Sequence, residues 1–287
     1  MTVTVPAYAK INLFLDIESL RDNGYHNIIS IMQLVDLNDD LEVSFHEDSE
    51  KSITVFCDNS TIPCDKSNLV YKAADLFPVR GKIEIKISKR IPISAGLAGG
   101  SADAAATLIA LNKLSGNKLS TDELCKIGAN LGADVPFCIK GGACLVKGIG
   151  EILTPVDSMP RFPIVIAKKG EGMSTPAAYK ALDNKFNNFA NYTPNTKFCD
   201  ILFNDSSRLY AGEYCNGLFN IFESVVEPQR PAVTEIKNIM LEHSAKGSIM
   251  SGSGTSVFGI FESEADAQKA LTALKNSGAD AHLCYPL

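Results

Sequence analysis

Pro92-Ile93-Ser94-Ala95-Gly96-Leu97-Ala98-Gly99-Gly100-Ser101-Ala102-Asp103, followed by Ala104-Ala105-Ala106-Thr107-Leu108-Ile109-Ala110-Leu111-Asn112, is the stretch on which the reading of this chain turns. Upstream of it Ile83, Ile85 and Ile87 alternate with polar residues, the period of a half-buried strand. Downstream, alanine and leucine fill a helical segment. The order is therefore strand, glycine-rich turn, helix. Glycines let several backbone N–H groups crowd one point, and a helix start adds unpaired N–H groups and a partial positive charge, so the layout suits phosphate. A simple strand-to-helix connection needs one or two glycines, whereas Gly96, Gly99, Gly100 and Ser101 together clear space for a ligand. Neither G-x-x-x-x-G-K-[ST] nor G-x-G-x-x-G is present.

The rest of the composition narrows the setting. With 287 residues, 45% of them apolar, the chain can form two modest domains or one large one with a real core. A net charge of -6 with scattered lysines and arginines argues against a general nucleic-acid binder and leaves room for a local basic pocket. Eight cysteines without a C-x-x-C pair read as reduced thiols, and the four histidines are too dispersed for a zinc site. No apolar run reaches transmembrane length and the N-terminus reads as a strand, so the expectation is a cytoplasmic protein with no membrane partner.

Outward from the loop, Thr2 to Ile17 reads as an interrupted strand in which Lys10 and Asn12 share one face. They form either a substrate or phosphate clamp or an exposed, solvating pair. Asp22-Asn23-Gly24 signals a tight turn, with Tyr25 and His26 just past it, at the mouth of a pocket or in ordinary packing. Leu41 to Phe45 and Ser52 to Phe56 read as strands of a hairpin around the acidic Glu47 to Glu50. A helix from Leu69 to Phe77 is expected to be capped by Asp65 or Ser67, and Asn68 beside its start suits a cap or recognition of a base. Gly116 should stop the loop helix, and Ser120 with Glu123 has capping-box spacing for the next one. Asp134 lies where that helix gives way, on a segment that Pro136 is expected to hold extended. It is a cap, a turn former or a carboxylate held in a cleft.

In the C-terminal half, the prolines between Pro155 and Pro163 mark a linker, giving domains at 1–155 and 156–287. Ile164 to Ala167 reads as a strand, and Ser174 or Thr175 as the cap of a helix with Pro176 in its first turn. Further helices are expected at Ile201 to Tyr210, Pro231 to His243 and Glu264 to Ser277. Gly247 to Ser256 reads as a second glycine-serine loop, covering phosphates or making a tight turn, before the strand Val257 to Phe261.

The combination Pro-x-x-x-Gly-Leu-x-Gly-Gly-Ser-x-Asp-Ala-Ala at Pro92 to Ala105 resembles the second motif of the GHMP kinases, named for galactokinase, homoserine kinase, mevalonate kinase and phosphomevalonate kinase. The resemblance extends over nearly the whole chain, through Ala9-Lys10-Ile11-Asn12-Leu13, Gly24-Tyr25-His26, Asn68-Leu69-Val70-Tyr71, Gly132-Ala133-Asp134-Val135-Pro136-Phe137, Ser174-Thr175-Pro176 and Ser251-Gly252-Ser253-Gly254. It implies an α+β, two-domain fold: an N-terminal domain like domain 2 of ribosomal protein S5, a ferredoxin-like C-terminal α/β sandwich, and an active site in the cleft between them.

The Tyr-His and Ser-Thr-Pro segments narrow the resemblance to a branch that phosphorylates the 2-hydroxyl of cytidine diphosphate methylerythritol with ATP and Mg2+, in non-mevalonate isoprenoid synthesis. Lys10 and Asp134 would then be the catalytic pair. Asn12, Tyr25, His26 and Thr175 would bind the acceptor, with Tyr25 and His26 on the cytosine. Asn68 would lie near the adenine. Pro92, Ile93, Ser94, Ala95, Gly96, Leu97, Ala98, Gly99, Gly100, Ser101, Ala102 and Asp103 would wrap the phosphates. Ser101 is the candidate metal ligand, and Asp103 a cap or water-mediated ligand. Two positions depart from the family pattern: Ala102, where serine is typical, and Lys147, where arginine is usual. The expected assembly is a monomer or weak homodimer. Two other readings compete, namely another GHMP kinase such as mevalonate or homoserine kinase, and a nucleotide-binding regulator without turnover, against which Lys10 and Asp134 both argue.

Overall fold

Residues Gly81–Ser88 bury and expose their side chains in strict turn, with Ile83, Ile85 and Ile87 inward, as the alternation predicts. This strand belongs to a computed structural model in which residues 1–195 and 211–287 are described. The chain forms two compact units: Met1–Ala9, Asn38–Ile91 and Ala98–Gly141 in the first, and Lys10–Leu37, Pro92–Leu97 and Gly142–Leu287 in the second.

The first unit contains the opening of β1 (Thr2–Leu20), the end of β2 (His26–Glu47), β3 (Ser52–Cys57), α1 (Leu69–Leu76), β4 (Gly81–Ser88), α2 (Gly99–Leu114), α3 (Thr121–Ala129) and α4 (Val135–Lys140). Its strands are ordered β3-β4-β2-β1. The expected hairpin between β2 and β3 is absent. Instead β4 lies between them, with Ile85 opposite Val43 in an antiparallel pair and opposite Val55 in a parallel one. A parallel pair requires a crossover, and α1 supplies it, burying Val70, Ala73 and Ala74 in the core that a bare hairpin would leave open. Helix α2 is buried along most of its length, and its small side chains let α1 and α4 pack closely on it.

Two local expectations change. Asn68, rather than Asp65 or Ser67, caps α1, its Oδ1 accepting from the Val70 N–H at 2.8 Å, while Asp65 is taken up by the backbone and hydroxyl of Ser67. Asp134 is not extended: it has helical angles of φ -79° and ψ -15° and leads directly into α4. Pro136 falls in the first turn of α4, where its missing N–H costs nothing, so proline starts a helix here instead of preventing one. The capping box of α3 forms as expected, with the Ser120 N–H donating to Glu123 Oε2 at 2.8 Å and the Glu123 N–H to Ser120 Oγ at 3.3 Å.

The second unit holds residues 10–20 of β1 and 26–37 of β2, followed by β5 (Ala143–Gly148), β6 (Ile152–Val156), β7 (Ile164–Lys168), α5 (Thr175–Lys185), α6 (Ala211–Cys215), β8 (Phe219–Asn220), α7 (Glu223–Val226), α8 (Pro231–Glu242), β9 (Gly247–Met250), β10 (Val257–Ile260), α9 (Glu264–Asn276) and β11 (Asp280–Cys284). β5 pairs with β2 and β6, and β8 runs parallel to β1. The other four strands form an antiparallel sheet ordered β11-β7-β10-β9, the ferredoxin-like arrangement, with α8 on β9 and β10 and α9 on β7 and β11.

Gly247–Met250 is therefore strand and not loop, and only Ser251 to Ser256 makes the turn into β10. The proline-rich segment 157–163 is irregular but pinned, since Met159 is buried and its N–H donates to Gln33 Oε1 at 3.0 Å. The helix expected at Ile201 to Tyr210 lies outside the described residues. Cys57, Cys64, Cys125, Cys215 and Cys284 are free thiols. Among the described residues no helix is long and apolar enough to cross a membrane.

Candidate active site

β1 brings Lys10 and Asn12 to one face, as their spacing requires, and both are buried, 4% and 1% exposed. The reading of an exposed, solvating pair is thereby removed. Lys10 Nζ donates to Asn12 Oδ1 at 2.5 Å, Asn12 Nδ2 to Ser30 Oγ at 2.8 Å, and Ser30 Oγ to the Phe14 carbonyl at 2.6 Å. Each donor has an acceptor, and the chain fixes the Asn12 amide with its oxygen toward the lysine. Within the second unit, the described residues give Lys10 a neutral oxygen and no carboxylate.

The strap Pro92–Leu97 runs beside this chain. The carbonyl of Ile93 accepts from Lys168 Nζ at 2.6 Å, that of Ala95 from the Ser256 N–H at 3.1 Å, that of Gly96 from Ser251 Oγ at 3.0 Å, and that of Leu97 from the Lys10 N–H at 3.1 Å. Gly96 is obligatory: its φ is +76°, and a Cβ there would lie 2.0 Å from the Ser251 carbonyl oxygen. Ser251 also accepts from the Asn12 N–H at 3.3 Å, tying the second glycine loop to β1. Burial pushes the Lys168 ammonium below its ordinary pKa.

His26 is buried, its Nε2 2.6 Å from Asp183 Oδ1, stacked on Tyr179 with centroids 4.7 Å apart and edge-on to Phe189. Tyr25 is 59% exposed. Thr175 Oγ1 shares a hydrogen bond of 2.8 Å with Ser253 Oγ in the second glycine loop.

In the first unit, the N-cap of α2 is Ala98, in the left-handed region at φ 57°, which offers no side-chain acceptor to the first-turn N–H groups. The helix start around Gly99, Gly100 and Ser101 thus keeps donors that a serine or aspartate cap would have consumed. Asp103 does not act as that cap. It is buried on α2 and pairs at 2.9 Å with Lys89, which also pairs with the fully buried Asp39. Asp39 in turn accepts from the N–H groups of Arg90 and Ile91 at 2.6 and 2.8 Å. Burial raises the Asp103 carboxyl to about 7 against the pull of Lys89, and its Oδ1 has no hydrogen-bond partner. Asn68 spends both ends of its amide locally, on the Val70 N–H and the Pro63 carbonyl. Asp134 is partly buried and makes no capping hydrogen bond, so the cap reading fails for it. Among the described residues no group of three or more His, Cys, Asp or Glu could hold a metal ion.

Sequence reasoning missed Ser30, Asp183, Tyr179, Lys168 and Lys89. Each acts through a partner distant in the chain, so local spacing carries no sign of it.

The fold, the strap and the uncapped helix start define a small-molecule kinase of the GHMP class. The family descriptions "GHMP kinases N terminal domain" and "GHMP kinases C terminal" match residues 68–142 and 204–280. A solved homoserine kinase from Cytophaga hutchinsonii shares the fold, with a TM-score of 0.73 at 21% identity, covering 98% of this chain and 94% of that one. Within the class, the chain is 46% identical to a 4-diphosphocytidyl-2-C-methyl-D-erythritol kinase of Caldicellulosiruptor saccharolyticus over 94% of its length and 91% of the relative's. It is 43% identical to one of Acetivibrio thermocellus, covering 96% of each. A crystal structure of a 4-(cytidine 5'-diphospho)-2C-methyl-D-erythritol kinase superposes with a TM-score of 0.81 at 29% identity, covering 99% of both chains. The chain belongs to the 4-diphosphocytidyl-2-C-methyl-D-erythritol kinase family.

Proposed function

We propose that this chain transfers the γ-phosphate of ATP to the 2-hydroxyl of 4-diphosphocytidyl-2-C-methyl-D-erythritol, releasing ADP. The observation that carries the reading is the buried Lys10, held on an unbroken strand by a neutral amide oxygen. A buried ammonium without a carboxylate in its own unit is incompletely paired, and an anionic phosphoryl group would complete it. Lys10 would orient the acceptor and offset charge on the transferring oxygens, and Asp134 would accept the hydroxyl proton. A lysine near Asp134 also favours its ionised form, which weakens it as a base, so positioning and charge stabilisation carry much of the effect.

Asn12 would hold the erythritol end, and Tyr25, His26 and Thr175 the cytidine end. Residues 92–103 would take the ATP phosphates, with Asn68 beside the adenine. The donor set fits a magnesium ion brought in with the nucleotide: Ser101 supplies one candidate oxygen, and phosphate oxygens and water would supply the rest. The ion would neutralise charge on the phosphates. The cytidine-reading segments favour this acceptor over mevalonate or homoserine.

The test is ATP consumption against a panel of the cytidine diphosphate acceptor, mevalonate and homoserine. Activity confined to either of the last two overturns the substrate assignment. Asp134→Asn should lower turnover by about 10²–10⁴-fold while leaving ATP binding intact. Near-normal turnover removes Asp134 from the mechanism.

A further inference from the structure

Asn220, on the two-residue strand β8, is buried at 3% exposure and uses every polar atom of its side chain. Its Nδ2 donates to the carbonyls of Met250 and Gly252, at 2.7 and 2.8 Å, and its Oδ1 accepts from the Phe222 N–H at 3.0 Å. These partners settle the amide orientation, because only the nitrogen can donate to two carbonyls and only the oxygen can accept the N–H. The two carbonyls flank Ser251, whose hydroxyl joins the Gly96 carbonyl to the Asn12 N–H. A Cβ placed on Gly252 would lie 3.3 Å from Lys10 Nζ and 2.9 Å from the Gly96 carbonyl oxygen, so this backbone rests directly against the lysine and the strap. β8 is itself registered to β1, with Asn220 opposite Leu15 and the Ile221 N–H donating to the Leu15 carbonyl at 3.0 Å.

We infer that Asn220 is a positioning residue for phosphoryl transfer, a clamp that fixes the Ser251–Gly252 backbone against Lys10. The inference rests on the proposed role of Lys10. β1 carries the lysine and β8 carries the clamp, so one strand pair sets both sides of the contact. Aspartate is nearly isosteric with asparagine but has no N–H, and in place of two hydrogen bonds it would set carboxylate oxygens against two carbonyls. The loop would move away from Lys10, and a displacement of this size near the reacting groups costs on the order of 10²-fold in rate.

The experiment compares wild type, Asn220→Asp and Val233→Ala. The last removes a buried side chain from α8 of the same unit and serves as a stability-matched control. The expected result for N220D is a kcat at least about tenfold below that of V233A, with the KM for ATP changed less than kcat, as for a group acting on the transition state. Amide exchange at Gly254 and Ser256, whose N–H groups donate to Ser251 and Ala95, should also quicken relative to V233A. A kcat equal to that of V233A overturns the inference, whatever exchange shows. If N220D does not fold, Ser251→Ala decides by the same kcat criterion. If wild type does not phosphorylate the cytidine diphosphate acceptor, the substrate assignment falls. Exchange then decides the clamp, and unchanged rates at Gly254 and Ser256 overturn it.

Discussion

Replacing Asp103 with asparagine should change how the stability of the protein depends on pH. Asp103 and Asp39 share one lysine inside the first unit, with Asp39 fully buried and already bonded to two backbone N–H groups. Asp103 has the poorer environment, since burial raises its carboxyl from 3.8 to about 7. A carboxyl that holds its proton more tightly when folded makes the folded state lose stability as pH rises from the unfolded value toward the folded one. The loss is complete above about pH 7 and absent below about pH 4. Taking 3.8 and about 7 as the two values, the part of this loss falling between pH 5 and pH 8 is about 2–3 kcal/mol. The amide of Asp103→Asn cannot titrate and keeps a similar shape, so the variant should gain that amount relative to wild type over this interval. Urea unfolding of both proteins at pH 5, 6, 7 and 8 measures the difference directly. A wild-type-minus-variant difference that stays constant across this range would refute the buried, proton-holding carboxyl. A difference that moved the other way would mean that Lys89 dominates and holds Asp103 ionised.

Two further perturbations test separate parts of the second unit. Gly96→Ala combines a left-handed φ of +76° with a Cβ driven into the Ser251 carbonyl, so it should destabilise by about 1–3 kcal/mol and reduce the rise in Tm produced by ATP. An unaltered ATP-dependent shift in a thermal scan would show that the strap does not bear on the nucleotide. Tyr192→Phe removes a 2.6 Å hydrogen bond to the buried Asp16, whose carboxyl burial already raises, and should cost about 1.5–3 kcal/mol in urea unfolding. A cost below about 0.5 kcal/mol would mean that the Ile17 and Asn195 N–H groups suffice for Asp16.

What could be read from the chain alone was what local rules govern. The alternation at Ile83, Ile85 and Ile87, the Ser120–Glu123 box and the shared face of Lys10 and Asn12 all depend on residues within a turn or two of one another. The errors came where two local rules competed or a distant strand intervened. Pro136 is read as a helix breaker if the residue before it is considered, and as a helix starter if its place in the first turn is considered; the second prevails because α4 packs on α2. The hairpin across Glu47 to Glu50 was a sound inference from proximity, and β4, entering from thirty or more residues downstream, displaced it. Asp103 carried an acidic label in a phosphate-loop motif, but its partner Lys89 lies in the preceding connection, where no spacing rule links the two.

The strap shows why the phosphate loop is more than its glycines. A backbone carbonyl facing a phosphate repels it, so a cradle needs its carbonyls turned away as much as its N–H groups turned inward. In Pro92–Leu97 four carbonyls are held by donors from Lys10, Lys168, Ser251 and Ser256, two on strands and two in the turn between β9 and β10. None of these donors is near the strap in sequence, and three come from the C-terminal half of the chain. The glycines make the conformation accessible, but accessible is not populated: a glycine-rich segment pays the largest entropy cost for being fixed in one shape. The four distant donors offset that cost. The anion-binding capacity of this loop is therefore a property of the second unit's folded sheet, which the motif alone does not carry.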